Sequence, residues 1–192
     1  MLNYSVAELR IIKCFTIYKV KNMHLYRVDK RQFKTGAEIL PNSQFENELQ
    51  GEALQVENIL NETRPNGVPE RKYCLFLFHE LTGALTFWLK YGGNIYSVIP
   101  FSQIYYMGDM NKIDNILDLA RFSEDADLLR VAANEYWKDG THTFKPCFEF
   151  LVDIAKVVGT IATERELQRF KEECKKLHSI ERTSIYKLLL NR

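Results

Sequence analysis

The sequence predicts an α+β domain whose strands and helices follow one another without regular alternation. The apolar pattern gives five or six short strands mixed with five helices, whereas a doubly wound parallel sheet would alternate strand and helix. Apolar residues make up 46% and aromatic residues 12% of the 192 residues, which is enough for a substantial core. Residues 147–161 read as two consecutive strands with a short link, and we expect them to form a hairpin.

A glutamate stands in the middle of the first of these two strands. At a period of two residues, Glu149 shares a strand face with Cys147 and Leu151, and the alternate positions are apolar. A carboxylate that is buried in such a strand costs free energy unless a partner or a function engages it. The alternative is an edge strand whose glutamate faces water.

An arginine holds a similar position in an earlier strand, which we predict over residues 24–29. Leu25, Arg27 and Asp29 point to one face of this strand, and Tyr26 points to the other. Arginine presents a rigid fork of N–H donors that suits phosphate or ribose oxygens. Arg27 is therefore a candidate anion-binding residue.

Capping residues, apolar periodicity and Gly or Pro stops predict the other elements. Residues 5–16 fit either a short helix or a strand. The predicted helices begin near Ser43, Thr82, Ser123 and Thr163, and a further helix covers residues 179–190. Another helix carries an apolar face of Ile113, Ile116, Leu117 and Ala120, and the remaining strands cover residues 73–78, 95–99 and 104–107. Ser43 and Thr163 each open a capping box, in which a Glu follows three residues later.

The four cysteines and four histidines are scattered along the chain, and none forms a pair at the spacing of metal ligands. This pattern predicts reduced cysteines and no metal site. The sequence has no apolar run near the ~20 residues that a membrane span requires, and its start lacks the pattern of an export signal. These features predict a cytoplasmic protein that does not contact a membrane.

Charge is unevenly distributed although the net charge is only +1. Residues 1–35 carry eight Lys and Arg against two acidic residues, and residues 36–162 are acidic overall. The basic start is either a footprint for phosphate or nucleic acid, or the solvated face of a helix.

The order of several motifs resembles the mono-ADP-ribosyltransferase superfamily over roughly residues 22–162. The motifs are Tyr26-Arg27, the apolar strand 75–79 that enters a helix, the strand 94–98, and residues 136–140 followed by Glu149. That family carries an Arg or His on its first core strand and a Glu that opens a late strand. The closest pattern is found in small bacterial members of poorly characterised function, and the second motif is more similar to the branches with His or Tyr than to the branch with Ser-Thr-Ser.

The resemblance implies a split β-sheet core with flanking helices over residues 1–162 and a C-terminal helical extension over residues 163–192. It also implies that NAD is the substrate and Glu149 the catalytic residue, with no metal. A fixed carboxylate stabilises the positive charge that develops on the ribose when the bond to nicotinamide breaks.

The resemblance implies further roles for individual residues. The residues implied to bind NAD are Arg27, Tyr26, Phe78, His79 and Tyr91, of which the aromatic ones would stack on the cationic nicotinamide ring. The acceptor loop would contain His142 and Phe144. The acceptor itself is left open between a protein, a nucleic acid and a small molecule.

Two other functions stay open. The same superfamily includes RNA 2′-phosphotransferases, which would suit the basic start but need several basic residues around one phosphate. A non-catalytic binding protein would keep the fold and bind a partner through its C-terminal helices. The apolar face of residues 163–192 is expected to pack back on the domain rather than to form a dimer contact; it consists of Leu167, Phe170, Cys174 and Leu177.

Overall fold

A computed structural model describes residues 23–42, 49–101, 103–123, 125–138 and 143–176. These residues form a mixed α+β architecture with a seven-stranded sheet and five helices. The predictions for residues 5–16 and 179–190, and the capping box at Ser43, lie outside the described residues.

The sheet is antiparallel throughout. Its strands are β1 Leu25–Asp29, β2 Glu38–Ile39, β3 Leu75–Phe78, β4 Asn94–Pro100, β5 Ile104–Asp109, β6 Phe148–Val152 and β7 Ala155–Ala162. Their order in the sheet is β2-β7-β4-β1-β3-β6-β5. β1 and β3 are paired at one residue position only, Tyr26 with Phe78. This short junction divides the sheet into two halves, one made of β2, β7, β4 and β1 and the other of β3, β6 and β5.

The predicted hairpin is wrong in its pairing, although both of its strands form. β6 pairs with β3 and β5, whereas β7 pairs with β4 and β2. Four strand spacings would separate β6 from β7 by ~19 Å in a flat sheet, but the chain from Val152 to Ala155 reaches at most ~11 Å. The sheet must therefore roll up, so that the ends of these two strands come together.

A hydrogen bond across the two connections agrees with this curvature. Phe101 N, in the β4–β5 connection, donates to Ile154 O, in the β6–β7 connection, at 3.0 Å. We call the side that carries Leu25, Leu77 and Phe150 the inner face of the sheet. Its apolar core contains residues of both halves, together with partly buried residues of the segment between β1 and β2.

The helices of the described residues pack on the opposite, outer face. They are α1 Gly51–Thr63, α2 Leu81–Tyr91, α3 Met110–Phe122, α4 Ala126–Tyr136 and α5, residues 164–176. α1, α3 and α4 cover the half that contains β6, with Phe76 and Leu151 in their core. α2 packs with the start of α5 over Val28, Phe78 and Ile95.

Two predicted helix starts differ from the structure. α1 begins at Gly51, later than the predicted start near Ser43. The N-cap of α4 is Asp125 rather than Ser123, and its carboxylate accepts from two backbone N–H groups of the first turn. An aspartate is favoured there because its charge also complements the positive end of the helix.

The predicted capping box of α5 is confirmed. Thr163 N donates to Glu166 Oε2 at 2.8 Å, and Glu166 N donates to Thr163 Oγ1 at 3.3 Å. The apolar face of α5 is covered only in part, since Leu167 is buried against α2 whereas Phe170 is 64% exposed. Within the described part of the chain, no helix combines the length and the apolar character needed to cross a membrane.

Candidate functional site

Glu149 lies on the outer face of β6, an interior strand of the sheet. Its side chain is only 2% exposed. The alternative of an edge strand with a water-facing glutamate is therefore wrong. A buried carboxylate needs compensation by hydrogen bonds or charge.

Two side chains, Tyr136 and Arg71, bind this carboxylate, and together with Glu57, which binds Arg71, they form what we call the Glu149 cluster. Tyr136 Oη donates to Glu149 Oε1 at 2.7 Å, and Arg71 Nη1 donates to the same oxygen at 3.2 Å. Arg71 Nη1 also donates to Tyr136 Oη at 2.7 Å, and Arg71 Nε donates to Glu57 Oε2 at 3.2 Å. One guanidinium thus bridges two buried carboxylates.

The surroundings of Arg71 keep its guanidinium positively charged. Burial lowers the pKa of Arg71, but Glu149, Tyr136 and Glu57 raise it by more, so the guanidinium stays protonated. Its carbon lies 4.6 Å from the centroid of the Phe76 ring, which adds a cation–π contact. Burial raises the pKa of Tyr136 well above its ordinary value, with Glu149 adding to the rise, so its hydroxyl keeps its proton.

Separate elements bring the cluster together. Glu57 lies on α1, Arg71 begins a 3₁₀ turn just before β3, and Tyr136 ends α4. Gly108 stands opposite Glu149 on β5. A Cβ atom at Gly108 would lie 2.7 Å from Tyr136 Oη, so only glycine leaves room for the tyrosine to reach the carboxylate.

Aromatic residues border Glu149 on the same face. Phe78 is its direct cross-strand neighbour on β3, and Tyr26 is in turn the neighbour of Phe78 on β1. The Phe78 ring centroid lies 5.2 Å from that of Phe87, which lies 4.4 Å from that of Tyr91. Three of the predicted NAD-binding residues, Tyr26, Phe78 and Tyr91, thus lie on the same face of the sheet as Glu149.

Arg27 lies on the inner face, away from Glu149. Its Nε and Nη2 donate to Asp29 Oδ2 at 3.2 and 3.0 Å, and its Nη1 donates to Phe76 O at 3.1 Å. Arg31 binds the same carboxylate. Burial lowers the pKa of Arg27 despite the opposing effect of Asp29. The fork that was predicted to hold NAD is engaged by the protein itself.

By strand alternation, His79 also lies on the inner side of the sheet, like Leu77. It is exposed just after β3, and its ring centroid lies 6.4 Å from that of Phe150. The structure does not bring it beside Glu149. His142 lies outside the described residues.

Phe144 is 95% exposed in the segment before β6, and the residues at both ends of its described part, Thr143 and Cys147, are held by hydrogen bonds. Asp109 Oδ2 accepts from Thr143 N at 2.8 Å and from Thr143 Oγ1 at 2.7 Å, while its Oδ1 accepts from Cys147 N at 3.0 Å. Asn111 Nδ2 donates to Lys145 O at 2.8 Å. The loop therefore presents an apolar ring to solvent from an ordered frame.

The described residues contain no candidate metal site beside Glu149 or elsewhere. No three His, Cys, Asp or Glu side chains among them could together hold a metal ion. Burial raises the pKa of the Cys147 thiol to about 11, so it is not an activated nucleophile at neutral pH. One cavity of about 460 Å³ lies by Phe33, Tyr96 and the start of α5, and it includes none of the predicted site residues.

No protein-family model matches the chain, and no curated protein matches it in sequence. The functional interpretation therefore depends on the geometry of the site.

Arg71 and Glu57 are the members of the cluster that the sequence did not single out. Arg71 lies two residues after Pro69 and outside any periodic segment, so nothing local predicts its burial. Tyr136 was predicted to face inward on its helix, and it does. The one usable signal for Arg71 was the need of a buried glutamate for a cationic partner.

Proposed function

We propose that this protein is an NAD-dependent ADP-ribosyltransferase-like enzyme that transfers ADP-ribose from NAD to an acceptor and releases nicotinamide. The observation that best supports this proposal is the cross-strand row of Tyr26, Phe78 and Glu149 on the outer face. The row combines aromatic rings, which suit a cationic nicotinamide, with a carboxylate, which suits a ribose that gains positive charge.

The proposed reaction exchanges one bond at the ribose for another. The bond from ribose C1 to the nicotinamide nitrogen breaks, and nicotinamide leaves with the bonding electrons. A nucleophilic atom of the acceptor bonds to C1 and gives up its proton. Glu149 would stabilise the positive charge of the transition state by its field and by accepting a hydrogen bond from a ribose hydroxyl.

The acceptor is a protein, a nucleic acid or a small molecule of unknown identity. Phe144 is suited to contact it because its ring is exposed and its loop is held by Asp109. Loops of this kind, placed beside a site by a rigid frame, commonly carry specificity.

A second candidate is a non-catalytic binding protein with the same fold. The observation that favours it is that Glu149 is buried, the Arg27 side chain is only 12% exposed, and both are engaged by charged groups of the protein itself. An RNA 2′-phosphotransferase is less well supported, since Arg27 was its phosphate-binding candidate and its guanidinium is already bound to Asp29 and Phe76 O.

Nicotinamide release separates the two candidates. Purified protein is incubated with NAD carrying one label in nicotinamide and another in ADP-ribose, with and without cell lysate as a source of acceptors. We expect the wild type to release nicotinamide above a buffer control. Glu149→Gln should lower the rate by about 100-fold, because the variant loses a preorganised charge that stabilises the transition state.

Asp29→Asn is the matched control, because Asp29 is also a buried carboxylate in an ion pair but lies on the inner face. It should keep most of the rate per folded molecule. Nicotinamide release at background level by the wild type would contradict the proposed enzymatic function, and so would a Glu149→Gln variant as active as the wild type. Either result would leave the non-catalytic binding protein as the better interpretation.

A further inference from the structure

Among the residues that the structure describes, Glu149 is held through one carboxylate oxygen only. The hydrogen bonds that the described residues make to its carboxylate, from Tyr136 and from Arg71, both end on Oε1. The second oxygen, Oε2, takes no part in them. The carboxylate is thus fixed in orientation while one of its two oxygens keeps its acceptor capacity.

The direction of the hydrogen bonds in this cluster follows from its chemistry. Arg71 can only donate, and the carboxylate of Glu149 can only accept. Because Arg71 donates to Tyr136 Oη, the single proton of the tyrosine must point to Glu149. The three groups therefore form a closed triangle with one consistent orientation.

We propose that Arg71 and Tyr136 are positioning residues that fix Glu149 through Oε1 and so reserve Oε2 for the ribose of the substrate. This inference rests on the proposed function. A carboxylate that turned freely would have to be ordered in each turnover, whereas a fixed one stabilises the transition state without reorganisation. The raised pKa values of Arg71 and Tyr136 mean that neither group changes its protonation near neutral pH.

The structure offers a matched pair of tyrosines to test this assignment. Tyr106 is packed against Tyr136, with ring centroids 5.6 Å apart, and its hydroxyl donates to the backbone oxygen of Tyr136 rather than to Glu149. Tyr136→Phe and Tyr106→Phe each remove one buried hydroxyl from the same core. Only the first removes a donor from the carboxylate.

The measurement is nicotinamide release from NAD, with rates divided by the folded fraction at a temperature below all melting transitions. We expect Tyr136→Phe to lower kcat about tenfold or more with KM for NAD unchanged within about twofold, since a hydrogen bond to a charged group is lost. Tyr106→Phe should keep the kcat of the wild type. Arg71→Lys should lower kcat in the same way, because an ammonium keeps the charge but not the fork.

The possible outcomes distinguish a failure of this inference from a failure of the proposed function. An active wild type with equal kcat in Tyr136→Phe and Tyr106→Phe overturns this inference and leaves the proposed function standing. A rise in KM without a fall in kcat also overturns it, because that result would make Tyr136 a binding group. A wild type without nicotinamide release overturns the proposed function and this inference together.

Discussion

The two charged residues that stand out in the strands of this sequence have different surroundings in the structure. Glu149 meets an arginine and a tyrosine on the outer face, among aromatic rings. Arg27 meets Asp29 and the backbone carbonyl of Phe76 on the inner face. Residues of opposite charge in two strands need not meet, because strand parity decides the face and register decides the neighbour.

Arg27→Lys is expected to destabilise the protein. A lysine keeps the charge but cannot bind Asp29 twice and also reach Phe76 O, so the contact from β1 to β3 is lost. We expect the free energy of unfolding to fall by about 1–3 kcal/mol, measured by urea denaturation.

Arg31→Lys is the control for this experiment, because Arg31 binds the same carboxylate but is partly exposed. Its effect should stay below about 1 kcal/mol. If Arg27→Lys leaves stability unchanged and instead raises KM for NAD, Arg27 is a ligand of NAD and not a structural residue.

At the scale of the elements, Asp109 joins the end of β5, the start of α3 and the loop before β6. It is the N-cap of α3, where it accepts from Asn111 N at 3.2 Å, and it also binds Thr143 and Cys147, on the two sides of Phe144. A single carboxylate therefore sets the position at which the chain enters β6 and so the approach to Glu149.

The contribution of Asp109 to stability should depend on pH. Burial raises its pKa, but the hydrogen bonds from Thr143, Cys147 and Asn111 lower it by more, so it is below the ordinary value. A carboxyl group with a lowered folded-state pKa stabilises the protein above its unfolded pKa of about 3.9 and loses this effect as pH falls further.

We therefore expect Asp109→Asn to reduce the free energy of unfolding most at neutral pH, with the difference from the wild type shrinking below about pH 4. Denaturation at several pH values measures it. Asp125→Asn is the control, because the Asp125 carboxylate caps α4 and, within the described part of the chain, holds no loop, so its effect should be smaller at every pH. A difference that is constant from pH 7 to pH 3 would contradict this account.

At the scale of the whole molecule, the two halves of the sheet curl toward each other, and the helices of the described residues cover the outer face. The short connections between β4 and β5 and between β6 and β7 impose this curvature. α5 belongs to the same body at its start, where Glu164 accepts a hydrogen bond from Trp88 Nε1 and Leu167 is buried.

Two substitutions on α5 test whether this helix is part of the fold. Leu167→Ala should cost about 2–4 kcal/mol of unfolding free energy, because it opens a cavity against α2. Phe170→Ala should change it by less than about 0.5 kcal/mol, because the ring is largely exposed. Equal effects of the two variants in thermal and urea denaturation would show that the helix packs by another face.

Local patterns in the sequence determined the type and approximate bounds of most described elements, the capping box at Thr163 and the strand faces on which Glu149 and Arg27 lie. Alternation and capping are properties of neighbouring residues, so one chain segment suffices to reveal them. The pairing of β6 and β7, the burial of Arg71 and the separation of Arg27 from Glu149 depend on contacts between residues distant in the chain. Only the tertiary structure decided these features, because register and curvature are set by the whole sheet and by the helices packed against it.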